Sequence, residues 1–507
     1  MIADRNARLA LCLAALAAWA TPAGAQLLGG LTGIGGLPGG PSLPATLGLS
    51  PPNLAGPSTA LSGIDTGLPR SAAAGGVAAR VKTAPPAVPT LPDLSAPVPL
   101  IEGSLSAALP VHDGLVDVVD EVAAGAAAET RRAVVRRLLT QHPDLVEADD
   151  QGEPVVRGEI LGLGIDGAAL RRLQRAGFTL RAREALKGLG IETVILGVPR
   201  GASASEALRR LRSLDPGGQY DFNHLYQLSG AAEMRLAATP ASARAMDGRG
   251  LRIGLVDGSV AAGQPSLAAS RLVQRGFAAG GAAPTAHATA VASLIAGASG
   301  GFHGAAPGAT LYVADVYGPT PTGGSAQAVA SALAWLAQAK VPVVNISLVG
   351  PPNLLLGAAV RALVARGHLV VAAVGNDGPA SPPLYPASYP GVVAVTGVDP
   401  RRRLLPEASR ATHVDFAAPG SEMAAASPGG GFVSVRGTSF AAPIAAGRLA
   451  HWLPAPDPAA ASRALAALGR EAIDLGPPGP DPIYGRGLVG ADVRMALGSQ
   501  PALAARK

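Results

Sequence analysis

The second half of the chain alternates short apolar runs with longer stretches of helical spacing. Runs rich in Val, Ile and Leu that are separated by helices predict a buried parallel sheet. The predicted strands are 250–256, 310–316, 341–348, 368–374 and 392–398, and the helices between them include 326–340 and 354–366. We therefore expect an α/β domain at 241–495, with any functional site at the carboxyl ends of its strands.

The preceding region, 155–228, follows another order. Its strand patterns are 158–163, 178–186, 191–198 and 218–226, and its helix patterns are 167–177 and 204–214. The order β–α–β–β–α–β predicts a ferredoxin-like split βαβ arrangement, which by itself indicates no function. His224 lies in the last predicted strand among aromatic residues, and we interpret it as structural.

The N-terminus has the pattern of a secretory signal peptide. Arg5 and Arg8 precede an apolar stretch at 9–20, and small residues follow up to Ala25. A membrane anchor is the alternative, but the apolar stretch is short for spanning a bilayer. We therefore predict a signal peptide at 1–25 and an exported protein, periplasmic or extracellular, with no stable membrane span after cleavage.

Two further stretches separate this signal from the first predicted domain. Residues 26–100 are mostly Gly, Pro, Leu, Ala and Ser with almost no charge, which predicts a low-complexity linker. Residues 101–154 are predicted to be a helical segment, because apolar pairs recur between arginines at 129–139. We interpret these arginines as a solvated face, and contact with a partner or a membrane surface is the alternative.

Composition argues against cysteine chemistry and against nucleic-acid binding. The single cysteine, Cys12, lies within the predicted signal peptide, so the mature chain is expected to have neither disulfides nor thiol chemistry. The net charge is +6, but aromatic residues make up only 3% of the chain and no basic run or recognition motif is present. We therefore predict no nucleic-acid partner.

Polar residues that could support catalysis follow several of the predicted elements. Asp257 ends the first strand, His287 opens a helix of small residues, Asn376 follows another strand, and Ser439 precedes a run of small apolar residues. Each has an ordinary structural interpretation: a turn, a core histidine, a second turn and a helix N-cap. Together they supply a carboxylate, a general base, an oxyanion donor and a hydroxyl nucleophile. A dinucleotide-binding site at Asp257 is the alternative, but no Gly-x-Gly-x-x-Gly precedes it.

The block Gly437-Thr438-Ser439-Phe440-Ala441-Ala442-Pro443 resembles the serine block of the subtilisin-like serine proteases, the subtilases. Supporting blocks are 304–309, 344–350, 385–387, 392–395, 415–420 and 484–489. The resemblance implies a subtilisin-like parallel sheet flanked by helices, and a serine endopeptidase that works through an acyl-enzyme. It implies that Ser439 attacks, His287 moves the proton, Asp257 orients His287, and Asn376 holds the oxyanion.

The same resemblance implies where peptide substrates bind and how the enzyme is made. The implied substrate-binding residues are Ser347, Leu348, Val349, Gly350, Ala373 and Gly375, and Leu384 would narrow the floor of the main pocket. Region 155–228 resembles a propeptide, an intramolecular chaperone and inhibitor. Its last strand, 220–226, is expected to enter the cleft, with maturation by self-cleavage somewhere after Tyr226, at a bond that the sequence does not identify. Calcium is common in the family, but no acidic cluster lets us assign ligands. We otherwise expect no cofactor, and a monomer.

Two blocks depart from the family pattern. The acid block is Asp257-Gly258-Ser259, where Asp-Thr/Ser-Gly is usual, and the histidine block is His287-Ala288-Thr289-Ala290, where Gly and a second His are common. Ala288 is expected to crowd the backbone beside the base. A scaffold that keeps the fold without useful turnover is therefore the alternative to an active protease.

Overall fold

The computed structural model describes residues 131–228, 231–233 and 246–493, all within one compact unit of the chain. The predicted signal peptide, the predicted linker and the beginning of the predicted helical segment lie outside the described residues. We call residues 131–224 the N-terminal domain, residues 225–228 and 231–233 the connecting segment, and residues 246–493 the C-terminal domain.

The N-terminal domain consists of a five-stranded antiparallel sheet and helices that alternate with its strands along the chain. Its elements are α1 (131–141), β1 (Val146–Ala148), β2 (Pro154–Leu163), α2 (Gly167–Arg175), β3 (Thr179–Leu186), β4 (Ile191–Gly197), α3 (Ala204–Leu214) and β5 (Gln219–His224). β2 pairs with β1, β4 and β5, and β4 pairs with β3. From β2 onward, the elements have the predicted β–α–β–β–α–β order, and the sheet has the strand arrangement of a split βαβ unit. The short strand β1 was not predicted.

Local signals explain why α3 has the predicted bounds. Ser203 accepts a hydrogen bond from the backbone N–H of Glu206, and the Glu206 side chain accepts one from the backbone of Ser203. This capping box fixes the start of the helix. Its buried residues, Ala204, Ala207, Leu208 and Leu211, recur at helical spacing and pack on the sheet.

The C-terminal domain is organised around a seven-stranded parallel sheet. After β6 (Gln227–Leu228) and β7 (Ala231–Glu233) of the connecting segment, its strands are β8 (Arg252–Asp257), β9 (Leu272–Gly276), β10 (Ala298–Ser299), β11 (Phe302–His303), β12 (Thr310–Asp315), β13 (Val343–Ile346), β14 (Leu348–Val349), β15 (Leu369–Ala373), β16 (Val393–Val398), β17 (Phe416–Pro419), β18 (Met423–Ala426) and β19 (Phe432–Arg436). The main sheet has the order β17-β16-β15-β13-β8-β12-β9, and every pairing in it is parallel. Its edge strands β9 and β17 were not predicted.

Helices cover both faces of this sheet. They are α4 (Ala286–Ala296), α5 (Ala326–Gln338), α6 (Leu354–Ala365), α7 (Thr438–Ala450) and α8 (Pro458–Glu471). α4, α7 and α8 contribute to one apolar cluster, and α5 and α6 contribute to another. Neighbouring strand residues alternate between the clusters: Val343 belongs to the first and Val344 to the second. The chain is therefore an α/β protein with a doubly covered parallel sheet, as predicted. None of the described helices combines the length and apolar character needed to cross a bilayer.

Candidate active site

Ser439 lies in the first turn of a buried helix. The N-cap of α7 is Gly437, whose φ of 132° is a conformation that residues with a Cβ rarely adopt. The N-cap interpretation of Ser439 is therefore wrong: Ser439 is the second residue of the helix. Its Oγ lies 3.5 Å from the backbone carbonyl oxygen of Ser347. The backbone N–H groups of a first helical turn have no preceding intrahelical acceptor, so this position favours negative charge nearby.

His287 and Asp257 form a buried pair. His287 is the second residue of α4, and its Nδ1 lies 2.8 Å from Oδ2 of Asp257, at the carboxyl end of β8. The other carboxylate oxygen of Asp257 accepts a hydrogen bond from the backbone N–H of Gly258. Because Asp257 is fully buried and faces Nδ1, it favours the tautomer that carries its proton there. The buried Nε2 then carries a lone pair, and it has no hydrogen-bond partner among the described residues.

The His287 ring lies beside the serine helix. The centroids of the His287 and Phe440 rings are 5.3 Å apart, and Phe440 directly follows Ser439. α4 and α7 also pack against each other. The structure therefore brings the predicted acid, base and hydroxyl to one place, from three elements that are distant in sequence.

Asn376 is tied to the start of the same helix. Its Oδ1 accepts a hydrogen bond from the backbone N–H of Thr438 at 3.0 Å. This contact orients the amide and makes Nδ2 the donor end of the side chain. The Thr438 hydroxyl also lies 3.2 Å from both the N–H and the carbonyl oxygen of Gly375. The loop after β15 is thus fixed to the first turn of α7.

The unusual glycine of the acid block has a steric cause. A Cβ at Gly258 would lie 2.6 Å from both Cγ2 and Oγ1 of Thr285. Thr285 is the N-cap of α4, and its hydroxyl accepts a hydrogen bond from the backbone N–H of Ala288. Ser259 donates from its hydroxyl to Asp315, which also accepts from the backbone N–H of Ala283. The order Asp-Gly-Ser therefore makes room for the cap of the helix that carries His287.

We expect Gly258→Ala to lower the free energy of unfolding by about 1–3 kcal/mol, because overpacking would push Thr285 from its capping position. Urea denaturation followed by circular dichroism measures this change. Gly429→Ala is the matched control, since a Cβ there would meet nothing within 4 Å. Equal stability of the two variants would contradict the steric explanation.

The altered histidine block does not displace the base. Ala288 is fully buried, and its backbone N–H donates a hydrogen bond to the Thr285 hydroxyl. The 2.8 Å between Nδ1 of His287 and Oδ2 of Asp257 is an ordinary hydrogen-bond distance. Ala290 belongs to the apolar cluster under α4. The predicted crowding at Ala288 is therefore not visible at the His287–Asp257 contact.

The connecting segment occupies the cleft next to Ser439. β6 pairs antiparallel with β14, with Leu228 opposite Leu348 and Gln227 opposite Val349. β7 then pairs antiparallel with β19, where Ala231 is opposite Arg436. β14 begins directly after Ser347, whose carbonyl faces Ser439 Oγ, and β19 ends just before α7. The chain thus pairs with the C-terminal domain on both sides of the hydroxyl.

The expectation that 220–226 enters the cleft needs correction. β5 (Gln219–His224) stays in the sheet of the N-terminal domain and pairs with β2. The cleft is entered by 225–228, beginning with a bridge between Leu225 and Ser325. Tyr220 and Phe222 of β5 pack in the core of the N-terminal domain. The sequence pattern does not show that the chain leaves this sheet after His224. His224 is buried between Asp149 and Asn353, at 3.1 and 3.2 Å from its ring nitrogens.

The remaining predicted substrate-binding residues surround the same cleft. The Ser347 hydroxyl donates to the backbone carbonyl of Ser439 at 3.1 Å. Gly350 exchanges backbone hydrogen bonds with Tyr385. Ala373 ends β15, and a Cβ at Gly375 would lie 2.6 Å from Cδ1 of Leu384. Leu384 thus packs directly against the loop that carries Asn376.

Sequence reasoning missed residues that support this cleft. Tyr317 is partly buried, and its hydroxyl donates to the carbonyl oxygen of Tyr226 at 3.1 Å. Burial, reinforced by the charges of Asp257 and Asp315, raises the pKa of Tyr317 well above its ordinary value, so the hydroxyl keeps its proton. Arg131 of α1 lies 3.1 Å from Asp377, the neighbour of Asn376, and burial raises the pKa of Asp377. Each of these contacts joins residues that are far apart in sequence, and no motif around Tyr317 or Arg131 indicates the partner.

A calcium site finds no support in the described parts of the chain. Within residues 131–228 and 246–493, no three His, Cys, Asp or Glu side chains come together as a metal site requires.

The parallel sheet, the Asp257–His287 pair and the hydroxyl at a helix N-terminus together define an α/β protein with the Asp–His–Ser order of subtilisin-like folds. Residues 248–487 match the family model of the Subtilase family. Subtilisin DY of Bacillus licheniformis is 33% identical over 193 residues, which are 37% of this chain and 69% of that protein. The chain belongs to the subtilase family.

Two further comparisons describe the extent of this likeness. Subtilisin Savinase of Lederbergia lenta is 37% identical over 148 residues, 29% of this chain, and the match spans about half of Savinase, 54%. Fervidolysin from Fervidobacterium pennivorans, described as a keratinolytic enzyme related to subtilisin, has a TM-score of 0.56 at 20% identity. The structural match covers 70% of this chain and 63% of fervidolysin. It therefore supports the fold over a larger part of this chain than the sequence matches do.

Proposed function

We propose that the protein is an exported serine endopeptidase, made as a precursor that cuts itself between residues 228 and 231. Its substrates are proteins or peptides, which it hydrolyses through an acyl-enzyme. The observation that carries this proposal is the course of the connecting segment, which pairs with β14 on one side of Ser439 and with β19 on the other. Pairing of an extended peptide with exposed strands is a recurring mode of peptide recognition, in which main-chain hydrogen bonds hold the peptide in place.

The proposed roles follow from the chemistry of each group. Ser439 Oγ attacks the scissile carbonyl carbon, and Nε2 of His287 takes its proton and later gives it to the leaving amine. Asp257 holds the tautomer and stabilises the imidazolium that forms. The backbone N–H of Ser439 and Nδ2 of Asn376 donate to the oxyanion of the tetrahedral intermediate. Water then hydrolyses the acyl-enzyme with His287 as the base.

The N-terminal domain acts in this proposal as the inhibitor of the precursor. It binds the helix N-termini beside the cleft: Asn223 accepts from the backbone N–H of Gln327 on α5, and Asp221 accepts from that of Leu354 on α6. Such acceptors satisfy donors that helix ends leave unpaired. With the connecting segment in the cleft, other peptides are excluded. Export rests on the signal-peptide pattern of residues 1–25.

We expect Asn376→Ala to lower kcat with little change in KM, because the lost donor acts on the oxyanion and not on the bound peptide. The expected loss is about 10²–10³-fold, the size measured for the oxyanion asparagine of subtilisin itself. Steady-state kinetics on a chromogenic peptide measures the two constants separately. A loss that fell entirely on KM would contradict the oxyanion role.

Mass spectrometry of the secreted protein tests the proposal as a whole. The full chain is produced, and the N-terminus of the largest product is mapped. We expect an N-terminus at residue 229, 230 or 231, together with peptidase activity. A chain that keeps residues 131–245 intact and hydrolyses no peptide would instead support a scaffold that retains the fold without turnover.

A further inference from the structure

Tyr226 of the connecting segment is completely buried in the cleft. Its backbone N–H donates to the carbonyl oxygen of Gly324 at 2.8 Å, and the next two residues pair with β14. Tyr226 therefore occupies a subsite of the peptide-binding cleft, two residues before Leu228. This rests on the proposed function, in which the connecting segment is bound as a substrate would be.

The subsite is matched to a tyrosine hydroxyl. Tyr226 donates from its hydroxyl to the backbone carbonyl oxygen of Pro351 at 2.7 Å, within a buried environment. The ring lies against Gly350, where a Cβ would come within 2.7 Å of it. We call the site formed by Tyr317, Gly324, Gly350 and Pro351 the tyrosine pocket. The end of the pocket that faces the tyrosine hydroxyl is formed by the carbonyl oxygen of Pro351, a hydrogen-bond acceptor. A pocket that bound aromatic rings by apolar contact alone would need no acceptor there.

Tyr317 holds the main chain at the same position. The N–H of Gly324 donates to the carbonyl oxygen of Val316, inside its own domain. The carbonyl oxygen of Tyr226 accepts instead from the Tyr317 hydroxyl. This bond reaches the backbone, so it does not depend on the substrate side chain. Tyr317 therefore strengthens binding of any extended peptide, and Pro351 discriminates among side chains.

We propose that the tyrosine pocket makes the processed enzyme selective for peptides with tyrosine at the position of Tyr226, in preference to phenylalanine. With phenylalanine, the Pro351 carbonyl would be buried without this donor. Sites that hydrogen-bond a substrate hydroxyl reject the analogue that lacks it, because the buried partner is left unpaired. For a single neutral acceptor we expect a loss of about 10- to 100-fold in kcat/KM.

A peptide series on the processed enzyme tests the preference. The parent peptide has the sequence of residues 225–233, and its variants carry Phe or Leu in place of the tyrosine. We expect the Phe peptide to be cleaved about 10- to 100-fold less efficiently than the parent. The enzyme variant Tyr317→Phe should lower kcat/KM for both peptides by a similar factor, leaving their ratio unchanged. Equal kcat/KM for the Tyr and Phe peptides would overturn the proposal.

A measurement without catalysis separates this inference from the proposed function. In the full chain carrying Ser439→Ala, hydrogen exchange at amides 226–228 is compared between Tyr226→Phe and Tyr220→Phe. Tyr220 also donates from its hydroxyl, but to Asp215 within the N-terminal domain. We expect faster exchange at these amides with Tyr226→Phe only. Failure to hydrolyse any peptide would count against the proposed function, whereas unchanged exchange in Tyr226→Phe would count against the tyrosine pocket.

Discussion

Ser439→Ala is expected to abolish peptide hydrolysis and to leave the precursor uncut between residues 228 and 231. The substitution removes the only oxygen of the side chain, so no acyl-enzyme can form. The fold should survive, because alanine is a good helix former and Ser439 lies within a run of small residues on α7. Both losses should appear together, since one hydroxyl is proposed to cut substrates and its own chain.

Electrophoresis and mass spectrometry of the variant, with a peptide assay, measure both effects. Ser462→Ala is the matched control, because this serine lies exposed on α8 and donates only to the carbonyl of Pro458 one turn away. It should be processed as the unaltered chain is. If the Ser439→Ala chain still acquired an N-terminus at 229–231 when produced in a protease-deficient host, self-cleavage would be wrong.

Asp257→Asn should lower kcat by about 10⁴-fold, the size measured for the same substitution in the chymotrypsin triad. The amide can donate where the carboxylate accepts, so it favours the tautomer with the proton on Nε2 of His287. That tautomer cannot take the Ser439 proton. The shape of the side chain is unchanged, so the fully buried site keeps its packing.

Kinetics on one chromogenic peptide measures this loss, with circular dichroism as the check on folding. Asp247→Asn is the control, since Asp247 is exposed and pairs with Arg249 on the surface. A loss smaller than about tenfold would mean that His287 keeps its productive tautomer without Asp257. The proposed role of the acid would then have to be abandoned.

The sheet of the C-terminal domain was predictable because its central strands are buried on both faces. Such strands read as apolar runs: Leu369–Ala373 is continuous, and Val343–Ile346 is interrupted only by Asn345. The edge strands lack that signal. β9 reads Leu-Val-Gln-Arg-Gly, and β17 reads Phe-Ala-Ala-Pro, with few of the residues that favour strands.

The predicted chemistry of the site depended on four residues and their order, and the structure brings Asp257, His287 and Ser439 together. What the sequence could not show are contacts between distant residues. The need for Gly258 depends on Thr285, and the position of Tyr226 depends on Pro351 and Tyr317. The N-cap interpretation of Ser439 was wrong because Gly437, which follows β19 and has a positive φ, is the N-cap, and the helix already begins at Thr438.

Labelling with a fluorophosphonate probe tests the central claim, that Ser439 is an activated nucleophile. The probe reacts with hydroxyls that a neighbouring base activates, so the processed enzyme should carry one label, mapped by peptide mass spectrometry to the segment with Ser439. The Ser439→Ala and Asp257→Asn chains should take up little or none in the same time. A processed chain that stays unlabelled, or that is labelled on another serine, would contradict the account.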